Sequence, residues 1–156
     1  MCPKKDKTNV MRILDQKRAT YQYCFYDTTI VNAVEVAALH KKKPAEVFKT
    51  LVTVGRSRTY YVFMVPAEKE LDLKKAAQAA GEKSLEMIQQ KELLPLTGYV
   101  HGGCSPIGMK KAFKTFIDQS AETIDILSFS GGRVGSQVQM TLRELQKIFP
   151  ITPVEL

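Results

Sequence analysis

Apolar positions along the first twenty residues fall at Val10, Met11, Ile13 and Leu14, with Lys17 a turn further on, and Thr8 or Asn9 stands ready to cap them. That spacing predicts an amphipathic helix ending near Ala19. The pattern then switches to strict alternation. Tyr21, Tyr23 and Phe25 share one face and Gln22, Cys24 and Tyr26 the other, as in a half-buried strand. Asn32 followed by Glu35 has capping-box spacing and opens a short helix over Ala33–Leu39, which Pro44 stops. Two β-branched and aromatic runs, 47–54 and 59–65, flank Gly55-Arg56-Ser57-Arg58 and read as a hairpin. Strong helix formers from Leu73 to a terminal Gly81 predict a further helix. A short strand at 84–87 and a helix at 89–94 follow, then strands at 113–117, 124–130 and 136–140. Thr141 and Glu144 cap a last helix through Phe149. About six or seven strands with helices that do not alternate regularly predict an α+β fold, with a curved or partly closed mixed sheet.

The chain has 156 residues, 44% hydrophobic and 25% charged, which suits one domain spanning 1–156. The longest apolar run, Tyr60 to Pro66, is far below the roughly 18 residues needed to cross a bilayer. The basic N-terminus has no apolar segment after it, so a secretory leader is not expected. Cys2, Cys24 and Cys104 are odd in number and widely spaced, which predicts free thiols and a cytoplasmic protein without a membrane partner. The net charge of +7 is unevenly placed. Residues 1–60 carry 12 Lys/Arg against 5 Asp/Glu, and residues 61–156 carry 11 against 11. Lys4-Lys5-Lys7, Lys17-Arg18 and Lys41-Lys42-Lys43 hold most of the excess, with Arg56 and Arg58 in the hairpin turn. Such segregation attracts polyanions, nucleic-acid phosphate foremost, although solvated lysines serving only solubility fit the same count.

Chemistry is concentrated in few places. Lys49 begins an otherwise apolar strand, so its ammonium emerges either into a cleft, where it can hold an anion or bond a carbonyl, or at a strand edge in water. Gly102-Gly103-Cys104-Ser105-Pro106-Ile107-Gly108 is a structured loop whose backbone N–H groups can approach a ligand closely, and it matches no nucleotide-triphosphate motif. Ser130-Gly131-Gly132-Arg133-Val134-Gly135 invites the same reading; the two loops can wall one pocket or be plain turns. His101 and Cys104 have H-x-x-C spacing, but no set of four metal ligands and no orienting third group accompanies them, so neither a metal site nor a thiol nucleophile is expected. Asp118, Glu122 and Asp125 surround a turn and read as solvated surface. Tyr26 and Tyr99 offer a ring to stack and a hydroxyl to bond.

Taken in order, Val47-Phe48-Lys49-Thr50-Leu51-Val52, Glu70-Leu71-Asp72-Leu73-Lys74-Lys75, Thr97-Gly98-Tyr99 with Gly102-Gly103-x-Ser105-Pro106-Ile107-Gly108-x-Lys110-Lys111, and Ser130-Gly131-Gly132-x-x-Gly135 resemble the YbaK/EbsC family of aminoacyl-tRNA deacylases. That family includes the editing domain inserted in bacterial prolyl-tRNA synthetases, and the resemblance runs from about Thr8 to Leu145. It implies trans-editing hydrolysis of mischarged tRNA, Cys-tRNA(Pro) first. Another aminoacyl group such as Ala-tRNA(Pro), and a non-catalytic tRNA- or synthetase-binding module, stand as the alternatives. By the same resemblance Lys49 matches the essential lysine and Gly102 the loop glycine whose backbone contacts the aminoacyl group. Tyr26, Thr50, Gly103, Ser130 and Gly131 match substrate-binding positions, and Lys17, Arg18, Lys41, Lys42 and Lys43 would hold tRNA phosphates. In the family's YbaK branch the substrate's own thiol attacks its ester, so no protein nucleophile, cofactor or metal is implied; a prolyl-tRNA synthetase is an expected partner. The chain departs from that branch at Gln137, where an aspartate is usual, at Cys104, where an aliphatic residue is usual, and in a shorter segment between Tyr26 and Asn32.

Overall fold

Helix α1 (Asn9–Gln16) starts where Thr8 accepts a hydrogen bond from the Met11 N–H, and its apolar stripe of Val10, Met11 and Leu14 is fully buried. The computed structural model to which it belongs describes residues 6–30 and 32–156. Cys2, Lys4 and Lys5, singled out in the sequence, lie outside the described residues. Strand β1 (Gln22–Phe25) keeps the predicted alternation, with the Tyr21, Tyr23 and Phe25 rings in succession on one face at centroid spacings of 6.1 and 5.9 Å. Asn32 caps α2 (Ala33–Leu39) by accepting from the Val34 and Glu35 N–H groups, and Pro44 opens a single 3-10 turn. The hairpin is present as β2 (Phe48–Gly55) and β3 (Tyr60–Pro66). After it come α3 (Leu73–Ala80), β4 (Leu85–Met87), α4 (Gln90–Thr97), β5 (Lys114–Asp118), β6 (Leu127–Ser130), β7 (Ser136–Met140), α5 (Leu142–Ile148) and β8 (Ile151–Val154).

The α+β organisation is as expected, and the strands divide between two sheets. One has the order β1-β7-β6 and the other β4-β2-β3-β5-β8. The larger sheet is covered on both faces, which is why β3 reads as an unbroken apolar run. Val62 and Met64 enter the main core with α1, β6 and β7, while Tyr61, Phe63 and Val65 face a second cluster with Ala76, Ala77, Phe116 and Leu156. Strand β8 was not predicted. Pro153 removes a ladder donor and disguises the segment, yet an edge strand tolerates it, and β8 pairs with β5 alone. Its docking corrects the reading of Asp118, which is 4% exposed rather than solvated and accepts from Leu156 N–H at 3.1 Å, Lys69 Nζ at 3.2 Å and Ser120 N–H. Cys24 likewise departs from the expectation of free thiols: it is disulfide-bonded, while Cys104 is free and buried. An odd count guarantees one unpaired cysteine and excludes no single pair. Among the described residues, no helix is long and apolar enough to cross a membrane.

Candidate active site

The site exists because β2 is paired unequally on its two sides. Strand β3 accompanies it from Phe48 to Val54, whereas β4 meets it only at Thr53–Gly55. Val47, just before β2, makes one parallel bridge to Ser128 of β6, the edge strand of the smaller sheet. Among the described residues that ladder goes no further. The stretch of β2 at Lys49–Leu51 is therefore paired with β3 alone and left without a strand on its other side, and it lines a cavity of about 290 Å³ between the sheets. The start of α2 (Ala33, Val34, Val36), the first glycine loop (Gly102, Cys104) and the β6–β7 turn (Ser130, Ser136, Gln137) supply the other walls, with Tyr26 among them.

Both loops are held against each other and against α1. A Cβ on Gly103 would stand 2.8 Å from the Val134 N and 3.0 Å from the Arg133 carbonyl carbon, so the first loop rests directly on the backbone of the second. Gly132, at φ +94°, adopts a conformation that other residues avoid, and a Cβ there would meet Val10 at 2.7 Å and Tyr99 at 3.2 Å. Tyr99 locks the assembly from behind: its hydroxyl donates to the Ile107 carbonyl while its ring lies against Gly132. Thr8 completes the support, donating from Oγ1 to the Gly131 carbonyl at 2.6 Å. Within the second loop Ser130 Oγ accepts from Gly132 N–H, and Ser136 Oγ donates to the Arg133 carbonyl.

The residues lining the cavity include one cation, Lys49, together with hydroxyls and no carboxylate. Lys49 is half-buried, and its ammonium has no ion-pair or hydrogen-bond partner among the described residues. Thr50 Oγ1 is buried and also unpartnered, an arrangement that costs about 1–3 kcal/mol unless a ligand satisfies it. Burial pushes the Tyr26 phenol above its ordinary value, so it stays a neutral donor; its ring packs edge-on against His40 at 5.4 Å. Burial also pushes the Cys104 thiol up to about 12, which removes it as a nucleophile near neutral pH. Among the described residues, no group of three or more His, Cys, Asp or Glu is arranged to hold a metal ion.

The structure brings Lys49, Thr50, Tyr26, Gly102 and Ser130 into one cavity. Gly103 and Gly131 do not line it; they pack beneath, Gly103 on the second loop and Gly131 against Ser136 and Met11. Lys17, Arg18 and Lys41–Lys43 lie outside the cavity, at the ends of α1 and α2. Reasoning from the residues alone missed the α2 wall, since Asn32 read only as a cap and Ala33, Val34 and Val36 only as a short apolar helix.

Residues 28–148, most of the chain, match the aminoacyl-tRNA editing domain family. The chain belongs to that family. Every element of the cavity from α2 onward falls inside the matched span. This editing-domain protein is 41% identical over 136 residues to the proposed Cys-tRNA(Pro)/Cys-tRNA(Cys) deacylase EbsC of Enterococcus faecalis, covering 86% of this chain and 83% of that one. Its fold is shared with the crystal structure of the hypothetical protein APE2540, at a TM-score of 0.86 and 21% identity over 94% of this chain and 99% of the other. It is shared also with that of a proposed trans-editing enzyme for prolyl tRNA synthetase, at 0.81 and 21% over 97% and 99%.

Proposed function

We propose that this editing-domain protein is a trans-editing deacylase of mischarged tRNA and that Cys-tRNA(Pro) is its substrate. The observation that carries the reading is a carboxylate-free cavity walled by the two glycine loops and by the stretch of β2 that holds the unpaired Lys49 and the unpartnered Thr50 hydroxyl. A site of that make-up has donors for an oxyanion, and among its lining residues only His101 offers a base. It suits a substrate that carries its nucleophile. The cysteinyl thiol attacks its own ester carbonyl, the new S–C bond forms, and the C–O bond to the ribose breaks. The thiol proton passes to the departing ribose oxygen, releasing a cyclic thiolactone and the free tRNA end. Lys49 and the backbone of Gly102 steady the oxyanion, while Thr50, Tyr26 and Ser130 hold the aminoacyl group. Incubation with mischarged tRNA(Pro) tests the reading: catalytic release of the amino acid is expected. Stoichiometric binding without release would make the protein a binding module instead, and release of alanine in preference to cysteine would reassign the substrate.

Phosphate contacts fall to Lys17, Arg18, Lys41, Lys42 and Lys43, and a prolyl-tRNA synthetase is the partner this role would serve. Arg18 and Lys41 both have φ +55° at the residue ending a helix, where Ala19 N–H reaches back to Leu14 O and Lys42 N–H to Ala37 O. Glycine is usual at such a position, and another residue costs roughly 1 kcal/mol. Keeping a cation there at that cost fits a role in binding. Lys41→Gly is thus expected to leave folding stability unchanged or slightly higher while weakening tRNA binding. The slope of log affinity against log salt should become shallower by about 0.9, the value for one duplex phosphate contact. Filter binding across a salt series checks this, and an unaltered slope would remove Lys41 from the interface.

A further inference from the structure

Behind the first glycine loop lies a second cleft, larger than the first at about 470 Å³. The same loop divides the two: Gly102 and Cys104 face the cavity described above, and Pro106, Ile107, Gly108 and Met109 face this one. Its apolar part includes the half-buried rings of Phe113 and Phe149, and its rim carries Lys17, Lys111 and Lys114. No carboxylate lines it; the Lys17 and Lys111 ammonium groups have no ion-pair partner among the described residues, while that of Lys114 stands over the Phe116 ring of the second cluster at 5.4 Å.

We propose that this cleft is a second nucleic-acid subsite, which takes an unpaired nucleotide of the tRNA end upstream of the one whose ester enters the catalytic cavity. Flat apolar surface beside unpaired cations is the combination that recognises single-stranded nucleic acid, the ring stacking a base and the lysines holding its phosphate. A hydrophobic peptide would use the floor and leave Lys17 and Lys111 uncompensated; inorganic phosphate would use the cations and leave the aromatic floor bare. A nucleotide uses both. Position agrees with composition, because a strand whose last residue lies on one side of a single loop has its preceding residues close to the other side. The tRNA end is unpaired, so its bases are free to stack. The inference rests on the tRNA-editing reading, and it assigns to Lys111 and Phe113 a role that the catalytic cavity does not give them.

The test is direct binding of a fluorescently labelled, uncharged RNA tetranucleotide ending in CCA, followed by anisotropy at several salt concentrations. Binding by the wild type is expected to weaken about tenfold in Lys17→Ala/Lys111→Ala, with the salt slope shallower by about 1.4, since each single-strand phosphate contact contributes about 0.7. Phe113→Leu keeps an apolar side chain under the neighbouring Tyr60 ring but removes the stacking face, and should weaken binding at least fivefold with the salt slope preserved. A matched pair outside the cleft, Lys74→Ala/Lys83→Ala, removes the same charge and should leave affinity within threefold. Equal weakening by both lysine pairs, or an unaffected Phe113→Leu, overturns the subsite. The readout involves no turnover, so a protein that binds the tetranucleotide through this cleft yet releases no amino acid would refute the hydrolase reading and leave the subsite standing.

Discussion

Lys49→Ala is expected to lower kcat/KM for deacylation by about 10²–10³, the loss typical of removing one donor to a developing oxyanion. The melting temperature should barely move, because Lys49 is only half-buried, makes no ion pair among the described residues, and lies where β2 is paired on one side alone. Lys49→Arg should recover part of the rate, since charge persists in a bulkier and differently aimed fork. Cys104→Ala provides the contrast. That thiol lines the same cavity but is held protonated by burial, so its removal should change the rate by less than about fivefold, within what a small repacking costs. Steady-state kinetics with thermal melts on the three variants check the set. Wild-type activity in a folded Lys49→Ala, or abolished activity in Cys104→Ala, would replace the electrostatic mechanism by a thiol one.

Gly103→Ala should be nearly as damaging by a different route. Its new methyl would stand 2.8 Å from the Val134 N, and that neighbour is backbone, which cannot rotate away. The two loops must separate. The cost expected for such overpacking is about 1–3 kcal/mol, read as a lower melting temperature. Activity should fall by about 10², because a misplacement near 1 Å of the groups that orient a reacting ester is worth that much. The diagnostic is that both quantities drop together, whereas Lys49→Ala separates them. An active, fully stable Gly103→Ala would show that the loops need not touch for the site to work.

Much of the fold was legible because its signals are local. Asn32 and Glu35 announced α2, Thr141 and Glu144 announced α5, and Thr8 capped α1, each by a hydrogen bond made within a few residues. The 47–54 and 59–65 runs gave β2 and β3 by composition alone. What escaped depends on distant pairing. Strand β8 hides behind Pro153 and shows itself only beside β5, and with it goes the burial of Asp118. The division into two sheets likewise follows from where the β2 ladder stops, at a bridge between Val47 and Ser128, which are 81 positions apart in the numbering. The same is true of the candidate site. Lys49 and both glycine loops stood out as residue types, yet nothing local showed that Gly103 and Gly131 serve the loops' packing while Gly102 and Ser130 face the cavity. Gln137 was noted only as a departure from a family pattern; the structure buries it in the cavity wall.

The most direct measurement of the central claim is the single-turnover rate on Cys-tRNA(Pro) set beside that on Ser-tRNA(Pro), two substrates that differ by one atom, sulfur for oxygen. If a cavity with no nucleophile of its own relies on the substrate's thiol, the cysteinyl ester should be cleaved at least tenfold faster and release a cyclic thiolactone. Equal rates on the two, with free amino acid as the product of both, would show that water attacks and that the account of this site is wrong.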